Sequence, residues 1–310
     1  MLKRSGLNKR GPFDIVFDGL IYLFMLLFFI IVAYPILYVL ALSFSSREAV
    51  LNNEVYIIPV GFNFDNYKLV LKHEFLPKAF LNSVFYTVFG TLYSMILTIL
   101  GAYALSRKNY FGRDFIMFLI AFTMMFGGGM IPSYMLIKNL GLLNTRLALI
   151  IPFAVSQYNL IVMRTYMQQI PSAIEESAKL DGANDFVILF RIFVPMSKPV
   201  IATITLFYAA GQWNDFFSGL IYLDDKNKFP LQLVIRDLLI TQNDATLNQG
   251  LAAQQGMPSL TPGGFRAAIV VVTVLPLLVV YPFIQKYFVK GVMLGSITVS
   301  YTHLTLPTSD

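Results

Sequence analysis

Residues 171–195 read PSAIEESAKLDGANDFVILFRIFVP, and this polar stretch between apolar regions decides the fold. Ser172 is followed three residues later by Glu175, the spacing of a capping box, in which two side chains satisfy free backbone N–H groups at a helix start. The pattern predicts a short helix from Ser172 through Leu180. A simple connection between two segments would not need a helix-start signal of this kind.

The chain then changes direction at Asp181-Gly182. Glycine has no Cβ, so Gly182 can adopt a positive φ and end the first helix. Asn184 or Asp185 can begin a second short helix, because both side chains accept hydrogen bonds from free N–H groups. This second helix runs towards Pro195. The whole stretch therefore predicts a helix-turn-helix elbow.

The composition around the elbow is that of a membrane protein. Of 310 residues, 56% are apolar and 13% are charged, and the mean hydropathy is +0.66. Such a chain is too apolar for intrinsic disorder, and with no cysteine it has no disulfide, no thiolate metal site and no catalytic cysteine. The net charge of +6 suits anionic lipid headgroups and is not organised into a nucleic-acid surface.

Six uncharged intervals predict six membrane-spanning helices, since a spanning helix needs about 20 mostly apolar residues. The intervals are 19–46, 79–106, 115–137, 147–163, 199–214 and 267–285. The fifth reaches a full span if it continues to Leu223. Interior prolines such as Pro35, Pro152 and Pro276 are tolerated in membrane helices, where neighbouring groups satisfy the freed backbone. In the third interval, Gly127-Gly128-Gly129 predicts a helix end or a broken stretch.

Positive charges orient these helices. Four basic residues precede the first interval: Lys3, Arg4, Lys9 and Arg10. By the positive-inside rule they place the N-terminus in the cytoplasm, and six crossings return the C-terminus there. We therefore predict a cytoplasmic segment 1–18, a transmembrane domain 19–286 with inner loop 164–198 and outer loop 224–266, and a cytoplasmic tail 287–310. The first interval is too long for the apolar core of a cleaved signal peptide.

The elbow also carries a spaced motif. Glu176-Ser177-Ala178, Gly182, Ile192 and Pro195 follow the pattern E-A-A, three residues, G, nine residues, I, one residue, L-P, with Ser177 replacing alanine and Val194 replacing leucine. In this motif, and in its place before the penultimate helix, the chain resembles the permease subunits of ABC importers. The similarity runs from about Tyr34 to Ser296. It is greatest to carbohydrate importer permeases of the maltose type and to their lipoprotein-associated polysaccharide relatives.

The resemblance implies an all-α integral membrane protein with the ABC type I importer permease fold. Such a subunit forms half of the pore of an ATP-driven oligosaccharide importer in the bacterial plasma membrane. The implied partners are a second, different permease, two copies of an ATP-binding subunit, and an extracellular solute-binding lipoprotein. ATP and magnesium would be bound by the ATPase, and this chain would be neither an enzyme nor a cofactor binder. Accordingly, the sequence has no phosphate-binding G-x-x-x-x-G-K-[ST] loop.

The resemblance further implies that the elbow docks into a cleft on the ATPase and transmits its motion. The coupling residues expected from the motif and its flanks are Glu175, Glu176, Ser177, Ala178, Asp181, Gly182, Ile192 and Pro195. Apolar anchors could come from Ala178, Leu180, Ile188 and Leu189. Glu175 or Glu176 would pair with a basic group at the rim of the cleft. Without the motif, the two glutamates would be interpreted as a solvated helix face.

Other features remain open at this level. Trp213, Asn214 and Asp215 could contact a sugar or could anchor a helix end at the membrane interface. The outer loop could contact the solute-binding protein or could be a flexible connector. A secondary transporter or a membrane enzyme would need ionisable groups inside the spans, and only Asp215 comes near one. The substrate could be a uronide or a neutral oligosaccharide. The tail from about Thr298 is atypical of the family.

Overall fold

The computed structural model describes residues 12–241 and 262–296. The predictions for the basic N-terminal flank, for the middle of the outer loop and for the atypical tail lie outside these residues. Throughout the described ranges the regular elements are helices and no strand occurs, as predicted. The chain divides into two compact units, Met1–Lys72 with Thr241–Val274 and His73–Ile240 with Leu275–Asp310.

The helices are numbered in chain order. They are α1 (Pro12–Phe44), α2 (Arg47–Leu51), α3 (Asp65–Lys72), α4 (Leu76–Ser106), α5 (Arg113–Met125), α6 (Met130–Asn139), α7 (Gln157–Gln168), α8 (Ser172–Leu180), α9 (Asp185–Ile188), α10 (Val194–Met196), α11 (Lys198–Asn214), α12 (Phe217–Tyr222), α13 (Leu231–Thr241) and α14 (Pro262–Ser296). Short 3-10 turns occupy Arg146–Leu149 and Lys226–Lys228, and a π-helical turn occupies Leu189–Phe193.

The first unit contains α1 to α3 and the beginning of α14. α1 is continuous through Pro35, as predicted, and its most apolar part is unburied within this chain. The loop after α1 is fixed by Ser45, whose hydroxyl donates to the Ala41 carbonyl at 2.6 Å and accepts from the N–H of Val60 at 3.1 Å. These bonds satisfy backbone groups where the helix ends.

The second unit is built around α4, which packs against α7 and α11. Its core is made of buried side chains of α4, α7, the elbow and α11: Met95, Ala102, Leu105, Leu160, Met163, Met167, Ile188, Leu189, Phe193, Ile204 and Tyr208. One hydroxyl joins the three long helices. Tyr208 exchanges a 2.7 Å hydrogen bond with Thr98 and accepts one from the N–H of Ser156 at 3.0 Å.

Two helices are each long and apolar enough to cross a membrane, namely Val16–Phe44 within α1 and all of α4. Two bent pairs pass the same test together, Arg113–Met125 with Met130–Asn139 at 117° and Asp185–Met196 with Lys198–Asn214 at 84°. The described residues therefore hold two spans, or up to four if each bent pair is one. The break between α5 and α6 falls on the three glycines, which confirms the predicted helix end.

The fourth predicted interval, 147–163, is not one helix. It begins with the 3-10 turn and an irregular segment that contains Pro152, and α7 then extends beyond the interval to Gln168. Proline has no N–H to donate and its φ is fixed, so Pro152 interrupts the helix here, although prolines are tolerated inside many membrane helices. α7 begins only at Gln157, and its N-cap Ser156 accepts a hydrogen bond at the side-chain hydroxyl from the N–H of Asn159 at 3.4 Å.

The fifth interval and the outer loop also differ from the prediction. The helix does not continue unbroken to Leu223, because Asp215 leaves the helical conformation and the chain restarts as α12. The outer loop 224–266 is not all connection: it contains a 3-10 turn and α13, and α14 begins at Pro262. Local hydrogen bonding decides where these helices begin and end, and the spacing of charged residues gives no information about that bonding.

Candidate functional site

The first arm of the elbow is α8, which begins at Ser172 and ends at Leu180 as predicted. The predicted capping box is wrong. Pro171 occupies the N-cap position, and no side chain caps the helix there. Pro171 also sets the extended entry of the chain, and the carboxylate of Glu175 is held by Arg107 and by Lys179 of the same helix. Ser172 is therefore the first residue inside the helix.

The turn between the arms follows from Gly182, which has φ +80° as predicted. The N–H of Gly182 donates to the Lys179 carbonyl at 3.0 Å, and the N–H of Ala183 donates to the Ala178 carbonyl at 2.9 Å. This pair of bonds is a Schellman motif, which satisfies free carbonyls at a helix end and needs a left-handed residue. A Cβ at Gly182 would meet nothing within 4 Å, so the backbone conformation alone disfavours other residues.

The second arm begins at Asn184, whose side-chain oxygen accepts from the N–H of Val187 at 2.9 Å. α9 then passes without interruption through the π-helical turn and α10, in agreement with the predicted run to Pro195. Pro195 has no N–H to donate to the carbonyl of Arg191, four residues earlier. The π-helical turn before Pro195 is wider than an α-helical turn and accommodates this missing hydrogen bond. The chain bends by 84° into α11 after this arm.

The apolar residues of the elbow divide into buried and exposed sets. Ile188 and Leu189 are 0% and 2% exposed and belong to the core, so they cannot be docking anchors in this conformation. Leu180, Phe186 and Phe190 are 89%, 68% and 57% exposed. Of the predicted anchors, Leu180 is exposed, whereas Ile188 and Leu189 are not. Phe186 and Phe190, which the motif did not single out, are exposed in their place.

The motif residues lie on both sides of this division. Ala178 and Ile192 are partly buried and pack against the core. The exposed residues of the set are Glu176, Ser177, Asp181, Gly182 and Pro195. Hence the motif places small and apolar side chains inwards and leaves a polar surface with Glu176 on the outside of the first arm.

Glu175 is the exception among the acidic residues because it faces the core. Its side chain is 13% exposed, and one carboxylate oxygen pairs with Arg107 while the other accepts from Lys179 at 2.7 Å. Burial raises the pKa of the Glu175 carboxyl, but the hydrogen bonds from Lys179 and Arg107 outweigh it and hold this pKa below its usual value. Glu175 is therefore ionised and internally paired, and a rim contact falls to Glu176.

Arg107, which the sequence reasoning did not select, completes this group. It follows α4 directly and stacks over the ring of Phe193, with 4.2 Å from the guanidinium carbon to the ring centroid. We call Arg107, Glu175, Lys179 and Phe193 the Arg107 cluster. Arg107 lies within the region over which the chain resembles the family, but no local pattern pairs it with Glu175, a residue 68 positions away.

A second polar group lies at the other end of α4 and was also missed. Asn144, at φ +54°, accepts at its side-chain oxygen from the N–H groups of Asp224 and Asp225 at 3.2 and 3.1 Å, and its carbonyl accepts from Lys228. Near the start of α4, Asn82 donates to the Asn227 carbonyl at 2.7 Å and accepts from Arg146 at 3.2 Å. We call Asn82, Asn144, Arg146 and Lys228 the Asn144 cluster.

The residues suggested for sugar contact do not share one surface. Trp213 is buried and meets Phe80 edge to face at 5.7 Å, so its ring faces are not open for stacking in this conformation. Asn214 is exposed and donates back to the Ala210 carbonyl at 2.8 Å. Asp215 accepts from the N–H of Ser218 at 3.0 Å, which is the bond of a helix cap. A role in substrate contact stays a prediction.

Comparison with known proteins agrees with the architecture. Residues 96–294 match the family model described as binding-protein-dependent transport system inner membrane component. The polygalacturonan/rhamnogalacturonan transport system permease protein YtcP of Bacillus subtilis strain 168 is 44% identical over 283 residues, which cover 91% of this chain and 98% of that protein. Protein LplC of the same strain is 42% identical over 263 residues, covering 85% and 88%.

A solved structure is also similar. It is a chain of a bacterial ABC transporter involved in the import of the acidic polysaccharide alginate. The two share 36% sequence identity and a TM-score of 0.86, and the match covers 91% of this chain and 100% of that chain. The elbow and the Arg107 cluster lie within residues 96–294, the region that matches the family model.

Proposed function

Because the chain belongs to the family of binding-protein-dependent transport system inner membrane components, we propose that it is a pore-forming permease subunit of an ATP-driven importer of acidic oligosaccharides. A permease of this family is not an enzyme, since ATP hydrolysis takes place in a separate subunit. We extend this to its cofactors: ATP and magnesium are bound by that ATPase, and the chain holds none of its own.

The observation that carries the proposal is the elbow. Leu180, Phe186 and Phe190 project from two short helices whose other faces are packed into the core. Exposed apolar side chains beside a polar rim are typical of a protein interface, and a short helix can lie with them in a groove. Glu176 supplies a charge at the rim. These features fit docking to a cytoplasmic ATP-binding subunit, present in two copies per complex.

Six crossings with both termini in the cytoplasm remain our proposal for the topology. α4 has 31 residues, so at about 1.5 Å per residue it is roughly 46 Å long, enough to cross a bilayer. Residues assigned to the inner side meet at one end in the Arg107 cluster. Residues assigned to the outer side meet at the other end in the Asn144 cluster. This grouping supports the proposed sidedness in a bacterial plasma membrane.

The proposed substrate class follows from two relatives. One is named for polygalacturonan and rhamnogalacturonan transport, and the other takes part in the import of alginate, described as an acidic polysaccharide. We therefore propose that oligosaccharides rich in uronic acids are carried. A solute-binding lipoprotein delivers them at the outer face, and a second, different permease completes the pore. Neutral oligosaccharides are the alternative that a transport assay must include.

The proposal is tested by co-purification of the tagged chain from detergent-solubilised membranes of its native host, with mass spectrometry of the partners. We expect an ATP-binding subunit and a second permease. Gly182→Asp should reduce recovery of the ATPase, because it strains a left-handed turn of the elbow. Gly141→Asp is the matched control, since Gly141 has φ +67° and equally open surroundings outside the elbow. Recovery of the chain alone would contradict the proposal.

Charge reversal at the rim gives a second test. Glu176→Lys should weaken recovery of the ATPase in a salt-dependent manner, because an exposed interface charge steers association. Glu48→Lys makes the same change at an exposed acidic residue of α2 and should have no effect. Proteoliposomes containing the recovered complex and its binding protein should accumulate trigalacturonate in preference to maltotriose. Equal or reversed preference would contradict the acidic substrate class.

A further inference from the structure

The Arg107 side chain connects three separate segments of the second unit. It pairs with Glu175 of α8 and donates to the Met167 carbonyl of α7 at 3.4 Å. It also stacks 4.2 Å from the ring centroid of Phe193, in the π-helical turn of the second arm. Because Arg107 is the C-cap residue directly after α4, both arms of the elbow are joined to the end of one long helix.

Lys179 closes the connection between the two arms. Its ammonium group lies 2.7 Å from one carboxylate oxygen of Glu175 and 3.9 Å from a carboxylate oxygen of Asp185, the first residue of α9. Both oxygens of Glu175 are therefore occupied, one by Arg107 after α4 and one by Lys179 of α8, which also reaches Asp185 of the second arm. A displacement of either arm must move Arg107 or break a charged contact.

The burial of this pair separates it from ordinary surface charges. The side chains of Arg107 and Glu175 are 17% and 13% exposed, so the pair is only weakly screened by solvent. Arg113 lies in the same inner segment and its side chain is 22% exposed, but it pairs with its sequence neighbour Asp114, whose side chain is 83% exposed. A pair with an exposed carboxylate contributes little, whereas removal of one partner of a pair that is buried on both sides leaves an uncompensated charge.

We propose that Arg107 is a positioning residue for energy coupling, which acts through Glu175 and Phe193 to make the elbow and α4 move as one body. The inference rests on the proposed function, in which an ATPase moves the elbow. Motion at the elbow then reaches the membrane through α4. If Arg107 is removed, the elbow still presents its exposed surface to the ATPase, but its displacement is no longer transmitted in full.

The chemistry of the site selects arginine over lysine. A guanidinium is planar and has several N–H donors, so it can bond to a carboxylate and a carbonyl while its face lies on an aromatic ring. Lysine keeps the charge but offers a compact ammonium group that cannot make the stacked contact and the fork together. Lysine at position 107 should therefore restore part of the coupling, and glutamine none of it.

The test uses the complete complex recovered with the tagged chain, reconstituted in proteoliposomes with its binding protein and trigalacturonate. Uptake and ATP hydrolysis are measured together for wild type, Arg107→Gln, Arg107→Lys and the control Arg113→Gln. We expect Arg107→Gln to retain the ATPase but to transport about tenfold less trigalacturonate per ATP hydrolysed, within the roughly 5- to 150-fold range of coupling between sites. Arg107→Lys should be intermediate, and Arg113→Gln should equal wild type.

Glu175→Gln is the second variant, because it removes the same ion pair from the other side and leaves the Arg107 cation, not the Glu175 carboxylate, uncompensated. The chain has no cysteine, so a cysteine introduced at Ala183, which packs against the core at the turn of the elbow, can report elbow folding in each variant, because unfolding exposes it to maleimide. The double variant Arg107→Gln/Glu175→Gln should lose no more coupling than the worse single variant, since the two act through one contact.

The possible outcomes distinguish the inference from the proposed function. Unchanged uptake per ATP in both Arg107→Gln and Glu175→Gln, with a coupled wild type, overturns the inference and leaves the proposed function intact. Loss of coupling equal in Arg113→Gln and Arg107→Gln also overturns it, because the effect would then follow from any lost inner charge. A wild-type complex that lacks an ATPase or shows no ATP-dependent uptake overturns the proposed function itself.

Discussion

The division of the elbow into exposed and buried apolar residues predicts opposite effects for two neighbouring substitutions. Leu180 is 89% exposed, and complete burial of a leucine side chain stabilises by about 1.5–3 kcal/mol. If docking covers Leu180, its truncation to alanine removes up to about 2 kcal/mol of binding free energy, or roughly 30-fold in Kd. The permease itself should keep its stability, because alanine is a good helix former and the lost atoms contact little within the chain.

Ile188→Ala should behave in the opposite way. Ile188 is 0% exposed, and truncation of a buried isoleucine to alanine costs about 2–5 kcal/mol of folding stability. Docking of the fraction that remains folded should have an affinity close to that of wild type. The prediction is checked by titrating the purified permease pair with fluorescently labelled ATPase, and by following thermal unfolding of each variant in the same detergent.

Two results would contradict this division of the elbow into exposed and buried residues. If Leu180→Ala binds the ATPase with wild-type affinity, Leu180 is not covered by the partner and the exposed set does not form the docking surface. If Ile188→Ala weakens docking while its unfolding temperature is unchanged, the second arm presents Ile188 to the partner in a conformation other than the one described. Phe186→Ala, at a 68% exposed position, extends the test to the second arm.

Three further predictions concern the polar contacts. Hydrogen bonds from Lys179 and Arg107 outweigh burial and lower the pKa of Glu175, so the stability of this ion pair is present above the unfolded pKa of about 4.3 and is lost as the pH falls through the folded value. The unfolding temperature of wild type should therefore fall more steeply on acidification than that of Glu175→Gln. Asn144 has φ +54° and accepts from two backbone N–H groups, so Asn144→Ala should lower the free energy of unfolding by about 1–3 kcal/mol, as measured by thermal unfolding. Tyr208→Phe deletes the hydroxyl contacts of 2.7 and 3.0 Å and should cost a similar 1–3 kcal/mol, whereas Tyr158→Phe, at an exposed residue of α7, should cost nothing measurable.

Local chemistry explains what the sequence predicted correctly. The end of α8, the left-handed Gly182 and the cap at Asn184 each depend on residues within five positions of one another, and all three are found. The membrane class follows from composition alone. The failures begin where a second segment decides the outcome. Glu175 fits a capping box by spacing, but Arg107 and Lys179 take its carboxylate.

The orientation of the second arm could not be predicted for a similar reason. α9 has four residues and continues into a π-helical turn, so no helical period is long enough to show which of its apolar residues face inwards. The predicted anchors Ile188 and Leu189 are apolar, as an anchor must be, but both side chains are buried in the core of the second unit. The Asn144 cluster was unpredictable because its bonds join residues 64 to 145 positions apart.

The Arg107 cluster and the Asn144 cluster lie at opposite ends of α4, so a displacement of one end of this helix can be transmitted to the other. Asn82 is in its second turn and is bonded to the backbone of residues 227 and 229, while Arg107 ends the helix and holds the elbow. A straight α-helix resists compression and bending because each turn is hydrogen-bonded to the next. A tilt imposed on α4 at the elbow should therefore also displace its other end, where Asn82 bonds the backbone of residues 227 and 229. The polar contacts of these two clusters, which could not be predicted from the sequence, therefore connect the proposed ATPase surface to the proposed outer face through α4.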